Sequence, residues 1–137
     1  MPRLSKRYRE AGITVERLRE LKSYCLQYPD YKRQIANARA GLLDHPGRQS
    51  GAWRRPDPTG NAAVAIAGHP AQRRVAIIEN CVNHVAEPTV AAALLKNVTE
   101  DVDYYKLRPP CGPNQFYVTR QLFFIRLDVM LWFIENG

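Results

Sequence analysis

The residues best suited to chemistry stand between positions 99 and 136, in TEDVDYYKLRPPCGPNQFYVTRQLFFIRLDVMLWFIEN. Asn114, Gln115, Tyr117, Thr119, Arg120 and Gln121 lie close together there. Their amide, hydroxyl and guanidinium groups can donate to phosphates and read base edges in a DNA major groove. Covalent chemistry finds less support. The chain holds no GxxxxGK[ST] or GxGxxG loop and no nucleophile elbow. Glu100, Asp101 and Asp103 could hold Mg²⁺ as a nuclease requires, but no second acidic cluster accompanies them, and a helix start accounts for their charge. Cys25, Cys81 and Cys111 lack paired spacing, and His45, His69 and His84 form no ligand pattern. Neither a disulfide framework nor a zinc site is expected. The pattern is that of a binding protein without catalytic residues, metal or cofactor.

The elements that must position these residues follow from local rules. Thr99 suits a helix N-cap, with the three acids in the first turn where the helix dipole favours them. Pro109 and Pro110 remove two amide donors and stop that helix near Leu107, and Gly112 supplies a hinge. Pro113 fits the first position of a second helix of about six turns. Phe116, Phe123, Leu127, Met130, Leu131 and Ile134 recur along it at spacings of three and four and form a buried stripe. A short helix, a tight turn and a long helix with a polar N-terminal face make the helix-turn-helix pattern. A helical hairpin that only builds core has the same spacing.

Charge separates the two halves of the chain. Residues 1 to 56 hold thirteen Lys and Arg against five Asp and Glu, a balance of +8, while residues 57 to 137 hold seven against eight, a balance of −1. A basic arm of this kind suits a polyanion or an acidic protein surface. Met1 to Gly12 is a basic lead expected to fray in isolation, though able to dock on a polyanion. Thr14 caps a helix over about 14 to 27, with Val15, Leu18, Leu21, Cys25 and Tyr28 inward. Pro29 and Asp30 restart the chain into a helix reaching about Leu43. His45 to Gly60, HPGRQSGAWRRPDPTG, is a linker loop whose Trp53 precedes Arg54 and Arg55, both candidates for DNA contact. From Asn61 the chain turns helical again, with a kink or break near 68 to 70 and a second part to about Ala86. Glu87, Pro88 and Thr89 open a helix that ends near Asn97.

No segment alternates with period two over a useful length, so the chain is read as all-α, of about six helices. It divides into a basic helical arm over 1 to 44, the linker over 45 to 60, central helices over 61 to 98 and the helix-turn-helix region over 99 to 137. The longest apolar run, Leu122 to Ile134, is broken by Arg126 and Asp128, too short for a membrane span, and the N-terminus has no apolar signal core. A soluble, cytoplasmic protein with no membrane partner is expected.

Several of these stretches resemble the RinA/ArpU-like regulators of phages and prophages of Gram-positive bacteria. LRELKSYCLQYPDYKRQI is similar to that family's Leu-rich helix, Tyr-Pro break and basic following helix. RRPDPTGNAAVAIAG is similar to its linker ending in Asp-Pro-Thr, and PPCGPNQFYVTRQLFFIRL to the turn and aromatic, Arg-containing helix compared with sigma-factor region four. The resemblance implies a late-gene activator in the bacterial host cell, with Asn114, Gln115, Tyr117 and Arg120 on double-stranded DNA and RNA polymerase as a further partner. The family carries more Arg and Lys on this helix, where Pro113, Val118 and Leu122 stand here. The basic arm would then supply much of the affinity through phosphate contacts. The expected function is a non-enzymatic DNA-binding regulator, with a dimer as the favoured oligomer. Two alternatives are a small terminase-like DNA-packaging protein, which would form a ring, and a helical protein-interaction module that exposes Trp132 and Phe133.

Overall fold

The structure, a computed structural model, describes residues 4–44 and 69–136. Trp53, Arg54, Arg55 and the expected helix from Asn61 lie outside the described residues. Seven helices and no strand occur among those described: α1 Lys6–Glu10, α2 Val15–Leu26, α3 Tyr28–Asp44, α4 Pro70–Val85, α5 Pro88–Glu100, α6 Tyr104–Leu107 and α7 Pro113–Asn136. The fold is all-α. None of these helices is long and apolar enough to cross a membrane.

The helix starts follow the local chemistry. The Thr14 hydroxyl accepts the Arg17 N–H at 3.0 Å and opens α2. Pro88 begins α5 behind an extended Glu87, where a missing N–H costs nothing. Pro113 does the same for α7. The described part of the basic lead is helical over Lys6–Glu10. The Ser5 hydroxyl caps α1, and Gly12, at φ 78, takes the left-handed turn that returns the chain. Tyr8 and Ile13 are thereby buried. Their apolar area outweighs the ordering cost that an isolated basic segment could not meet.

The chain falls into two compact units, Met1–Tyr28 with Ile77–Gly137, and Pro29–Ala76. The basic lead and α2 thus group with the last helices in one unit. In the first unit α2 packs on α5 and α7, α5 on α6 and α7, and α1 on α7. Its core joins Leu21 and Cys25 of α2, Ile78 and Val82 of α4, Leu94 and Val98 of α5, and Phe116, Phe123, Phe124 and Leu127 of α7. Each buried Phe contributes roughly 2–3 kcal/mol of apolar transfer. Within the second unit Tyr31, Ile35, Ala71 and Val75 are buried, and the Arg74 guanidinium lies 5.1 Å from the Tyr31 ring centre.

Two expectations at the final hairpin are corrected. Thr99 does not open a helix. It sits in the last turn of α5, buried, with its hydroxyl donating to the Leu95 carbonyl at 2.6 Å. Burial of Leu94, Asn97 and Val98 carries α5 on to Glu100, and the left-handed Asp101, at φ 57, ends it. Extended Asp103 then precedes α6. The inward stripe of α7 is also shifted: Phe124 is fully buried, whereas Ile134 is 57% exposed because it lies beyond the core.

Candidate nucleic-acid interface

The turn before α7 is held by named contacts. Arg108, at φ 48, takes a left-handed position, and its N–H donates to the Tyr104 carbonyl at 3.0 Å. The Tyr104 hydroxyl donates to the Cys111 carbonyl at 2.5 Å, and its ring meets Phe116 edge-on at 5.3 Å. Pro109 is buried, and the Gly112 carbonyl accepts the Phe116 N–H at 3.0 Å. The start of α7 is thus tied to α6 by the Tyr104 phenol and its ring contact with Phe116.

The six expected recognition residues of α7 do not share one surface. Asn114, Tyr117 and Gln121 recur at three and four and line one face. Asn114 and Tyr117 are exposed, and the half-buried Gln121 accepts from Arg7 Nη1 at 3.1 Å, which brings the basic α1 beside this strip. Gln115 is exposed on another side, where its carbonyl takes the Thr119 hydroxyl at 2.9 Å. Such a local bond occupies the Thr119 donor.

Arg120 points inward. Its Nε donates to Asn97 Oδ1 at 2.8 Å, and its guanidinium lies 5.0 Å from the Phe124 ring centre. Asn97, 9% exposed, donates through Nδ2 to the Val102 carbonyl at 3.0 Å. One side chain therefore ties the end of α5, the loop before α6 and the middle of α7 together. Sequence reading placed Arg120 on the recognition surface, since nothing local announces a buried amide on another helix.

Charge gathers near this point. Burial pushes the Lys22 ammonium below its usual range, the Arg120 charge adds to the effect, and Asp101 opposes it. Lys106 and Arg108, exposed before the turn, add cations that attracted no notice in the sequence. The acids expected to sit in one helix turn are instead split between two helix ends: Glu100, the last residue of α5, and Asp101, its cap, at one, and Asp103 at the approach to α6. No group of metal-binding side chains occurs among the described residues.

No protein-family model, curated protein or solved structure matches the chain. The start of α7 offers amides and a phenol, with Arg7 held at Gln121 and exposed Lys106 and Arg108 on the preceding helix and turn. Such a surface can accept phosphates at its edges and hydrogen-bond bases at its centre.

Proposed function

We propose that the chain is a DNA-binding transcriptional regulator that presents the start of α7 to a major groove. The observation that supports this most is the Asn114–Tyr117–Gln121 strip joined to Arg7, with exposed Lys106 and Arg108 on the preceding helix and turn. Asn114 and Tyr117 would touch bases, Gln121 with Arg7 would touch the edge of the groove, and the two earlier cations would hold phosphates. Arg120 and Asn97 would position the strip without touching DNA. The likeness of PPCGPNQFYVTRQLFFIRL to phage and prophage activators supports a regulatory role, with RNA polymerase as a further partner. The +8 balance of residues 1 to 56 supplies a sequence-independent attraction.

The test is anisotropy titration of duplex fragments, including the upstream regions of its genomic neighbourhood, at two salt concentrations. Asn114→Ala with Tyr117→Ala should weaken the preferred fragment by about 30-fold or more, since each base contact is worth about 1–3 kcal/mol and two are removed. Lys106→Ala with Arg108→Ala should weaken all fragments alike and flatten the salt dependence. Unchanged binding by the first pair, with helical content retained, removes α7 as the recognition element.

A further inference from the structure

The last helix is apolar on two opposite sides, and the core uses only one. Phe116, Phe123, Phe124, Leu127 and Leu131 face inward. On the other side Val118, Leu122, Ile125, Val129 and Trp132 succeed each other at intervals of four, three, four and three, with Phe133 beside them. At 100° per residue this spacing confines them to a stripe about 100° wide, centred opposite the core. Ile125 is half-buried against the core edge, while the other five are 37% to 61% exposed. An alternation of three and four is the spacing of a helix seam that meets another helix along its length.

We infer that this stripe is the interface through which two copies of the chain pair, α7 against α7. The occupant follows from area and pattern. The stripe leaves roughly 500 Å² of apolar side chain open per copy, near the upper size of patches that monomers carry. A standard interface covers about 800 Å² per partner, and about 65% of a homodimer interface is apolar, so the stripe supplies the apolar area one such contact needs. A two-fold contact presents the same patch twice, and a seam of this spacing is its own complement. On α7 itself the charges flanking it are Arg126 and Asp128 near its middle and Glu135 at its end. Asp128 is already held by Arg17, whose Nε lies 2.6 Å from its carboxylate. The pairing does not depend on DNA recognition. Val118 and Leu122 adjoin Tyr117 and Gln121, whereas Val129 lies about 18 Å along the helix from Tyr117, so the second half of the stripe can be covered without reaching the first turn of α7.

The test is sedimentation equilibrium of the full chain over a dilution series, for the wild type and for Leu122→Glu with Val129→Glu. Both residues are exposed, so the substitutions leave the core intact. The wild type should show twice the 15.7 kDa chain mass. The double variant should dissociate at least about a hundredfold more readily, because each charge enters the interface twice. Trp132→Ser serves as a second variant should the first lose helical content, and it should weaken pairing in the same way. A wild-type monomer throughout, a dimer indifferent to all three substitutions, or a ring of many copies would each overturn the inference.

Discussion

Removing the Asn97 amide should destabilise the first unit more than its size suggests. In Asn97→Ala the Arg120 Nε loses its acceptor at 2.8 Å and the Val102 carbonyl its donor at 3.0 Å. A hydrogen bond to a charged group is worth about 1.5–3 kcal/mol and a neutral one about 1, so the loss should reach about 3 kcal/mol. Arg120→Met should cost about 2 kcal/mol, because it strands Asn97 Oδ1 while leaving the bond to Val102 in place. In the double variant neither partner is left unpaired towards the other, so its cost should fall short of the sum by at least about 1.5 kcal/mol. Urea unfolding followed by far-UV circular dichroism measures all four corners of this cycle. Costs that add to within about 0.5 kcal/mol would show that Arg120 and Asn97 do not hold each other, and the positioning role of Arg120 would fall with that result. The same bond network bears on recognition. Asn97→Ala frees the loop that sets α6, and DNA affinity should drop although no DNA-facing residue changes.

Two smaller predictions test the frame around the site. Thr14→Ala removes the cap of α2 and should cost about 1 kcal/mol, read from the urea midpoint at unchanged slope. Burial pushes the Cys25 thiol up to about 12 and the Cys81 thiol up to about 11. The folded chain therefore keeps protons that the unfolded chain releases, so stability is flat below the ordinary thiol range near pH 9 and falls as pH rises towards 11 to 12. Cys25 alone should cost about 1.4 kcal/mol at pH 10. Thiol titration of the native protein at pH 8 should find half-buried Cys111 first, with Cys25 and Cys81 reacting only in denaturant. Fast reaction of Cys25 would contradict its burial.

Local chemistry in the sequence determined the helical class and several boundaries. Thr14, Pro88 and Pro113 open helices because a hydroxyl or a missing N–H meets the needs of a first turn, and Pro109 with Pro110 ends one for the opposite reason. Spacing of three and four marked Phe116, Phe123 and Leu127 as inward. How far round and along α7 the core would reach was not local information, since the helix is apolar on both sides. Only packing against α1, α2 and α5 buried Phe124, left Ile134 and the Val118–Trp132 stripe open, and turned Arg120 towards Asn97 twenty-three residues away. Thr99 shows the same limit. Its type suits a cap, but burial of Leu94 and Val98 beside it continued the helix past it, because contact area across the core outweighs the preference of a single hydroxyl.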